Sequence, residues 1–194
     1  CAWSFVWQFN ETHSLGIDEL INDVFGSHWR DEKWHEVLRL ISGMIDAKFV
    51  GDITSYLMEQ DGGEEKFQNL FLAGKCMSEV RSSQVIYDVE DRLLNMLKGL
   101  TGYDLGYFYE PFDPYSAMTY HKNLDLVIKI RTQAVRIVAI SWRDNFLTYN
   151  WLKQRVESDE SEDVRCEAVR QIASGWKQEP GILDLLKQRV VSDE

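Results

Sequence analysis

The sequence has few prolines and cysteines, and it is short of positive charge. Its 194 residues include three prolines and three cysteines. So few prolines, together with long periodic runs of apolar residues, favour helix throughout the chain. The cysteines, Cys1, Cys76 and Cys166, are odd in number and far apart. This spacing argues against a disulfide scaffold and favours a reducing, cytoplasmic compartment.

The charge balance argues against nucleic acid as a partner. The chain has 32 Asp and Glu against 21 Lys and Arg, which gives a formal net charge of −11. A surface that binds phosphates needs clustered Lys and Arg side chains. The sequence contains no run of basic residues that would form such a patch, so we expect no nucleic-acid partner.

Apolar runs are too short for a membrane helix, which needs roughly 18–20 residues. The N-terminal stretch CAWSFVWQFN is apolar, but it lacks the basic start and the cleavage site of a signal peptide. It also lacks an initiator Met and opens directly on aromatic residues. We therefore expect no membrane segment, and we expect this chain to be part of a longer protein.

An internal repeat is the strongest pattern that the sequence does contain. LKQRVESDE at residues 152–160 returns as LKQRVVSDE at residues 186–194, 34 positions later. Aligning residues 131–160 with 165–194 at this shift gives 14 identities in 30 positions. Twelve of these identical residues form what we call the repeat signature: Arg131, Ala134, Val135, Ala139, Trp142, Leu152, Arg165, Ala168, Val169, Ala173, Trp176 and Leu186.

Each repeat is predicted to form two helices joined by a turn. Apolar residues at three- and four-residue steps from Val164 to Trp176 form one face of the first helix in the second copy. The acidic stretch before it supplies N-caps, and Pro180 suits the first turn of the following helix. SDE is then the turn between units, and LKQRV ends each second helix with its Leu and Val buried. Arg165 and Arg170 belong either to a solvated face or to a contact with a neighbouring acidic turn.

Residues 1–100 are predicted to form a helical module without this repeat. Asp31 is the predicted N-cap of a helix that spans residues 32–45. Two more helices, each with one apolar stripe, are predicted at residues 65–80 and 85–100, and shorter ones at 17–25 and 49–60. The predicted apolar stripe of the helix at residues 32–45 consists of Trp34, Val37, Leu38, Ile41, Met44 and Ile45.

These patterns predict that the chain is divided into three parts. Residues 1–100 form the helical module, and residues 124–194 form repeats that are truncated at the C-terminus. Residues 101–123 between them are rich in Tyr and Phe and include two of the three prolines. They are read as an aromatic-rich connector, with a recognition loop as the alternative.

The repeats resemble HEAT-type repeats, whose first helix often carries Val-Arg followed three residues later by Ala. Here these are residues 163–165 (DVR) with Ala168, and residues 130–131 (IR) with Ala134. The resemblance covers about residues 125–194. It implies an all-α solenoid of helical hairpins, in which each unit buries its apolar face against its neighbours. Such an array implies a protein or other macromolecular ligand on the repeat surface.

The N-terminal part brings a second resemblance. An aromatic helix followed by LINDVFGSHWRDEKWHEVLRLISGM (residues 20–44) is similar to the helical region after the ATPase core in bacterial NACHT-domain (STAND-type) signalling proteins. The match covers about residues 1–45. It implies a regulatory segment that contacts an upstream ATPase domain of the same chain. ATP is implied for that parent chain, with no cofactor in the segment itself.

A nucleotide site is not predicted within the chain. A phosphate loop needs several glycines and a Lys followed by Ser or Thr. The nearest string, LAGKCMS around Lys75, has one Gly and a Cys after the Lys, and it lies in a predicted helix.

Metal and nucleophile sites are not predicted either. His28 and His35 are seven residues apart, but Asp31 is expected to begin a helix between them, and no HExxH or CxxC motif is present. Both histidines are read as ordinary residues near helix ends. Cys76 and Cys166 lie on apolar or partly apolar helix faces, which predicts buried, unreactive thiols. We therefore predict no catalytic residue and no enzyme activity for this segment.

The leading functional prediction is a non-catalytic sensor or scaffold segment of a NACHT-type NTPase, with the repeats recognising a ligand or protein. Two alternatives stay open at the level of sequence. One is a phycobilin lyase-type protein, since some HEAT-like repeat proteins act on bilins, although no chromophore-handling residue can be named. The other is a free-standing protein-binding adaptor.

Overall fold

The computed structural model describes residues 2–80, 84–103 and 114–178, with side chains described for all of these except residues 114–123. Every regular element in these residues is helical, as predicted, and they contain no strand. The chain divides into two compact units, Cys1–Leu97 and Lys98–Glu194. The three-part division expected from the sequence stays a prediction. Among the described helices, none is both long and apolar enough to cross a membrane.

The first unit consists of short helices. The helix α2 runs from Ile17 to His28 in three consecutive segments, Ile17–Glu19, Leu20–Phe25 and Gly26–His28, and the middle segment is π-helical. Its buried Leu20 and Phe25 are five residues apart, the spacing of i→i+5 hydrogen bonds. A 3₁₀ turn at Gln84–Ile86 precedes the last helix. The other helices are α1 (Ala2–Asn10), α3 (Glu32–Ser42), α4 (Ala47–Glu59), α5 (Gln68–Met77) and α6 (Tyr87–Leu100).

Asp31 begins α3 as the sequence predicted. Its side chain accepts a hydrogen bond from the backbone N–H of Lys33 at 3.0 Å, which satisfies one of the free donors at the helix start. The predicted stripe of α3 is too long, because the helix ends at Ser42, and Met44 beyond it is 40% exposed. His35 lies in the first turn of α3, near a helix end as predicted, and its side chain is buried.

The helix α5 is buried on nearly every side, although the sequence predicted a single apolar stripe. It packs against α3 and α4, and even its polar Asn69 is only 2% exposed. The Asn69 amide donates to the carbonyls of Leu57 and Gln60, both at 2.9 Å, and so caps the end of α4. Gly62 lies against this amide, because a Cβ at Gly62 would be 1.8 Å from Asn69 Oδ1.

The corner between α2 and α3 is built by the HWRDEKWH stretch. Trp29 is fully buried, and its carbonyl lies 2.7 Å from Nε2 of His35. The Arg30 guanidinium lies 4.1 Å from the centre of the Trp29 ring and pairs with Glu65 at 2.8 Å. His28 stacks on Trp34 with ring centroids 3.7 Å apart. This motif therefore fixes the angle between two helices.

The second unit contains α7 (Pro114–Ser141), α8 (Phe146–Ser158) and α9 (Glu162–Gly175). The start of α7 at Pro114 shows that the second half of the predicted connector, residues 114–123, is helical. The second helix predicted for the last repeat, near residues 180–190, lies outside the described residues. The helix α9 packs against both α7 and α8, and the core between them consists of Val135, Ala139, Tyr149, Leu152, Val156, Val164, Ala168 and Ile172.

Candidate functional site

The repeat signature is concentrated around the core of the second unit. Val135, Ala139, Leu152 and Ala168 belong to that core, and Val169 and Trp176 pack against it. Ala134 and Trp142 are also buried, whereas Ala173 is half-buried. Arg131 and Arg165 lie beside the turn between α8 and α9, and Leu186 lies outside the described residues. The repeated apolar residues therefore build the packing, and the repeated arginines build a polar edge.

Two equivalent arginines meet at the turn after α8. Arg131 donates to the carboxylate of Asp159 at 2.8 Å, and Arg165 donates to the backbone carbonyl of Asp159, also at 2.8 Å. Arg155 pairs with the same carboxylate at 3.3 Å, and the Asp159 side chain is 1% exposed. Of the two arginines for which the sequence left two interpretations open, Arg165 contacts an acidic turn, whereas Arg170 is 67% exposed and pairs with Glu167.

The second equivalent pair of arginines meets at one glutamate. Arg136 of α7 donates to the Glu167 carboxylate at 2.9 Å, and Arg170 of α9 donates to its other oxygen. Gln171 also donates to Glu167, at 2.7 Å. The Glu167 side chain is 3% exposed, while Arg136 is 52% exposed. One buried acid thus joins α7 to α9 through Arg136, while Arg170, at the equivalent repeat position, pairs with the same acid from within α9.

The surroundings of Glu167 change its acidity. Burial by itself raises the pKa of Glu167, but the hydrogen bonds from Arg136 and Gln171 and the two guanidinium charges outweigh burial. The pKa of Glu167 is therefore lower than usual, and the carboxylate is charged at neutral pH. The hydrogen bond that Arg136 donates to Glu167 correspondingly raises the pKa of Arg136.

An aromatic cleft opens at the end of α9. It has a volume of about 550 Å³ and is lined by both polar and aromatic residues. The Tyr149 and Trp176 ring centroids lie 6.0 Å apart, and Phe146 at the start of α8 is 68% exposed. Arg143 closes one side by donating to the Gly175 carbonyl at 2.8 Å. The cleft therefore offers aromatic surface beside an exposed guanidinium and the carboxylate of Asp144.

Trp142 and Trp176 are equivalent in backbone position but not in burial. The backbone N–H of Trp142 donates to the Val138 carbonyl at 3.1 Å, and the backbone N–H of Trp176 donates to the Ile172 carbonyl at 3.0 Å. Trp142 is 5% exposed. Trp176 is only half-buried and lines the cleft. The two repeat tryptophans therefore lie in different surroundings.

The residues considered for chemistry lie apart from this cleft. Lys75 is inside α5, as predicted. Within the part of the chain that the structure describes, no three His, Cys, Asp or Glu side chains gather as a metal site would require. Cys76 is buried, and burial raises its pKa to about 12. Cys166 is exposed on α9, so the prediction of a buried thiol is wrong there, because its helix face points away from the core.

Sequence reasoning missed Glu167 and most of the cleft. Glu167 aligns with Gln133 in the first copy, so a comparison that counts identities passes over it. Phe146 and Tyr149 align with residues that differ in the second copy, and Arg143 aligns with Lys177. The signal that could have found Glu167 was its position three residues before the repeated Arg170, a spacing at which an acid and a base pair on one helix face.

No protein-family model, curated protein or solved structure matches this chain.

Proposed function

We propose that this chain is a non-catalytic recognition segment, in which the cleft of the second unit binds an apolar side chain of a partner protein. The exposed aromatic surface at the cleft supports this proposal. Phe146 is 68% exposed and lines the cleft together with the half-buried Trp176. Exposed aromatic residues beside a concave site are typical of protein-binding surfaces, where Trp, Tyr and Arg contribute most of the affinity.

The context that we propose is the regulatory half of a NACHT-type NTPase with HEAT-like repeats. Support comes from the resemblance of residues 20–44 and of the repeats, and from the helical character of both units. In this role the second unit recognises a ligand, the first unit passes the signal on, and the nucleotide site belongs to another part of the parent chain. The segment acts through binding alone.

Selection of peptides from a random library on the intact chain tests the binding role. We expect the selected peptides to carry a large apolar residue, and to lose affinity about tenfold or more when Phe146 and Trp176 are both replaced by Ala. Val85→Ala, which removes an equally exposed apolar side chain in the first unit, serves as the control and should have no effect. Peptides that bind the double variant as tightly as the original chain would refute the role of the cleft.

A second experiment tests the regulatory role in the parent protein. The full-length protein is compared with a version that lacks residues 124–194, and ATP hydrolysis and oligomerisation are measured with and without the activating stimulus. We expect the response to the stimulus to be lost on deletion. Identical responses in both proteins would rule out sensing by the repeats.

A further inference from the structure

The helix α1 has one face that packs and one that does not. Ala2 and Phe9 are buried, and Phe9 meets Phe49 of α4 edge-on with ring centroids 5.0 Å apart. Phe5 lies 6.3 Å from Trp34 of α3, measured between ring centroids. These inward positions follow the three- and four-residue steps of an amphipathic helix. The helix is therefore anchored without using its opposite face.

Two tryptophans and one carboxylate occupy that opposite face. Trp3 and Trp7 are 65% and 45% exposed, and their rings stack with centroids 6.5 Å apart and planes 18° apart. Glu11 follows one turn later, is exposed, and donates its N–H to the Trp7 carbonyl at 3.0 Å. Two exposed, stacked indoles are a large apolar area for a surface helix.

The N-terminal segment that carries this face is acidic in sequence. Residues 1–29 contain four acids, Glu11, Asp18, Glu19 and Asp23, and no Lys or Arg. The whole first unit has 17 acids and 8 basic residues, a net charge of −9, whereas residues 98–194 have 15 and 13, a net charge of −2. Nearly all of the excess negative charge of the chain thus lies in the unit that presents the two indoles.

We propose that Trp3, Trp7 and Glu11 form a docking face for a basic segment of a partner protein. Indole is the best aromatic ring for binding a guanidinium or ammonium group, and Glu11 supplies a carboxylate for the same cation. A second copy of the chain would bring a net charge of −11 against the same acidic surroundings. Charge therefore favours an Arg- or Lys-rich partner over self-association, and it disfavours anionic lipid surfaces.

Binding of a fluorescently labelled, Arg- and Leu-rich amphipathic peptide to the intact chain tests this proposal. The same peptide with Glu at every Arg position is the matched probe. We expect the basic peptide to bind and the acidic peptide not to bind. Replacing Trp3 and Trp7 together by Ala should weaken binding about tenfold, and Glu11→Gln should weaken it about threefold.

Tyr87→Ala is the control, because Tyr87 is an equally exposed aromatic residue of the same unit, at 65%. None of these aromatic substitutions changes the net charge, so general attraction of a basic peptide to an acidic protein stays constant. The Trp3→Leu/Trp7→Leu variant keeps an apolar helix face while removing the rings, and we expect the same loss of affinity. Circular dichroism establishes that each variant is folded, and the Leu pair replaces the Ala pair if the latter is not.

Four results would overturn the proposal. The double variants could bind the basic peptide as tightly as Tyr87→Ala does, or the acidic peptide could bind as well as the basic one. The basic peptide could fail to bind while sedimentation shows a dimer of the chain that the double variants abolish. That result would assign the face to a second copy. Phosphatidylcholine vesicles could bind the chain through this face when the basic peptide does not, which would assign it to a lipid surface.

Discussion

Glu167 is the residue on which the charge pairing between α7 and α9 depends. Its buried carboxylate accepts hydrogen bonds from Arg136, Arg170 and Gln171. The two arginines are largely exposed, so water screens part of each interaction, and the value of each ion pair is modest. The carboxylate itself has no comparable access to water and relies on these donors.

Glu167→Gln should lower the free energy of unfolding by about 1–2 kcal/mol at neutral pH, because both ion pairs lose their negative charge and one of the two acceptor oxygens becomes an NH2 group that cannot accept. Chemical denaturation measures the loss. Glu157→Gln, which changes an exposed acid at the end of α8, should change stability by less than about 0.5 kcal/mol. Equal effects of the two substitutions would show that Glu167 has no special role.

Glu167→Gln should also make the free energy of unfolding depend less steeply on pH under acidic conditions. The pKa of Glu167 is lower in the folded chain than the ordinary value of 4.5. The contribution of Glu167 to the free energy of unfolding is therefore fully present at pH values above its ordinary pKa. This contribution is lost as the pH falls through the lower pKa of the folded chain. Between about pH 5 and pH 3, the original chain should lose stability more steeply than Glu167→Gln. Parallel profiles would contradict the assigned pKa direction.

The two thiols in the described residues should differ sharply in reactivity. Burial raises the pKa of Cys76 to about 12, while Cys166 is exposed. Iodoacetamide at neutral pH should therefore alkylate Cys166 in the folded chain and leave Cys76 unmodified until denaturant is added, because the thiolate is the reactive form. Peptide mapping by mass spectrometry reads the two sites separately. Rapid modification of Cys76 in the folded chain would show that its helix opens.

At the scale of helices, the C-terminal end of α4 is capped by a side chain of another helix, α5. Asn69 at the start of α5 donates to two carbonyls at the end of α4. Asn69 is 12 and 9 residues away in sequence from the carbonyls that it caps. The usual Asp and Ser caps, such as Ser161 before α9, directly precede the helix that they cap. The Asn69 contact requires a close approach that Gly62 permits.

Asn69→Ala should cost about 2–3 kcal/mol of stability, because two carbonyls at the end of α4 lose their donor. Gly62→Ala should also destabilise the chain, since its Cβ would overlap the Asn69 side chain. The two costs should not add: in the Asn69→Ala background, Gly62→Ala should cost at least about 1 kcal/mol less. Strict additivity in this double-mutant cycle would show that the two positions do not interact.

The two repeat tryptophans should respond differently to truncation. Trp142→Ala should cost about 3–5 kcal/mol, as expected for a buried indole. The partial exposure of Trp176 lowers the expected cost of Trp176→Ala to about 1–3 kcal/mol. Thermal or chemical denaturation compares the two variants. Equal costs would mean that the cleft is closed over Trp176 in solution.

At the scale of the whole molecule, the first unit contains a core of its own. The fully buried Trp29, Phe25, Leu38, Phe71 and Leu93 all belong to residues 1–97. The boundary falls inside α6, between Leu97 and Lys98. A cut at the boundary would therefore remove the end of a helix.

A fragment of residues 1–103, which keeps α6 complete, should fold independently. We expect a helical circular dichroism spectrum and a cooperative thermal transition, because a core of this size is sufficient for a domain of about 100 residues. A fragment that ends at residue 92 loses Leu93 and Leu97 and serves as the matched control that should not fold. A gradual transition for residues 1–103 would show that the unit depends on the rest of the chain.

The success of sequence reasoning differed between local and long-range features. Asp31 caps α3 as predicted, and Ser161, the N-cap of α9, belongs to the stretch that was predicted to supply the cap, because a cap depends on a few neighbouring residues. Leu152 and Val156 are buried as the repeated phrase suggested. Helix ends were less accurate: Met44 and Ile45 fit the apolar period of α3, but the chain leaves the helix at Gly43.

The candidate sites were harder to predict. Trp3 and Trp7 belong to an apolar stretch, and nothing in the sequence distinguishes their face from the face that packs. The exposure of Cys166 and the burial of α5 on nearly all sides likewise depend on how many helices surround each element. The sequence predicted where arginines recur, but not that Arg136 and Arg170 share Glu167.

Helices, caps and the 34-residue repeat were determined by the sequence alone, because periodicity and capping act over a few residues. The tertiary structure alone decided which acids meet the repeated arginines, which of two equivalent tryptophans is buried, and which face of α1 is left open. The physical reason is that burial and charge pairing depend on neighbours brought together from distant parts of the chain.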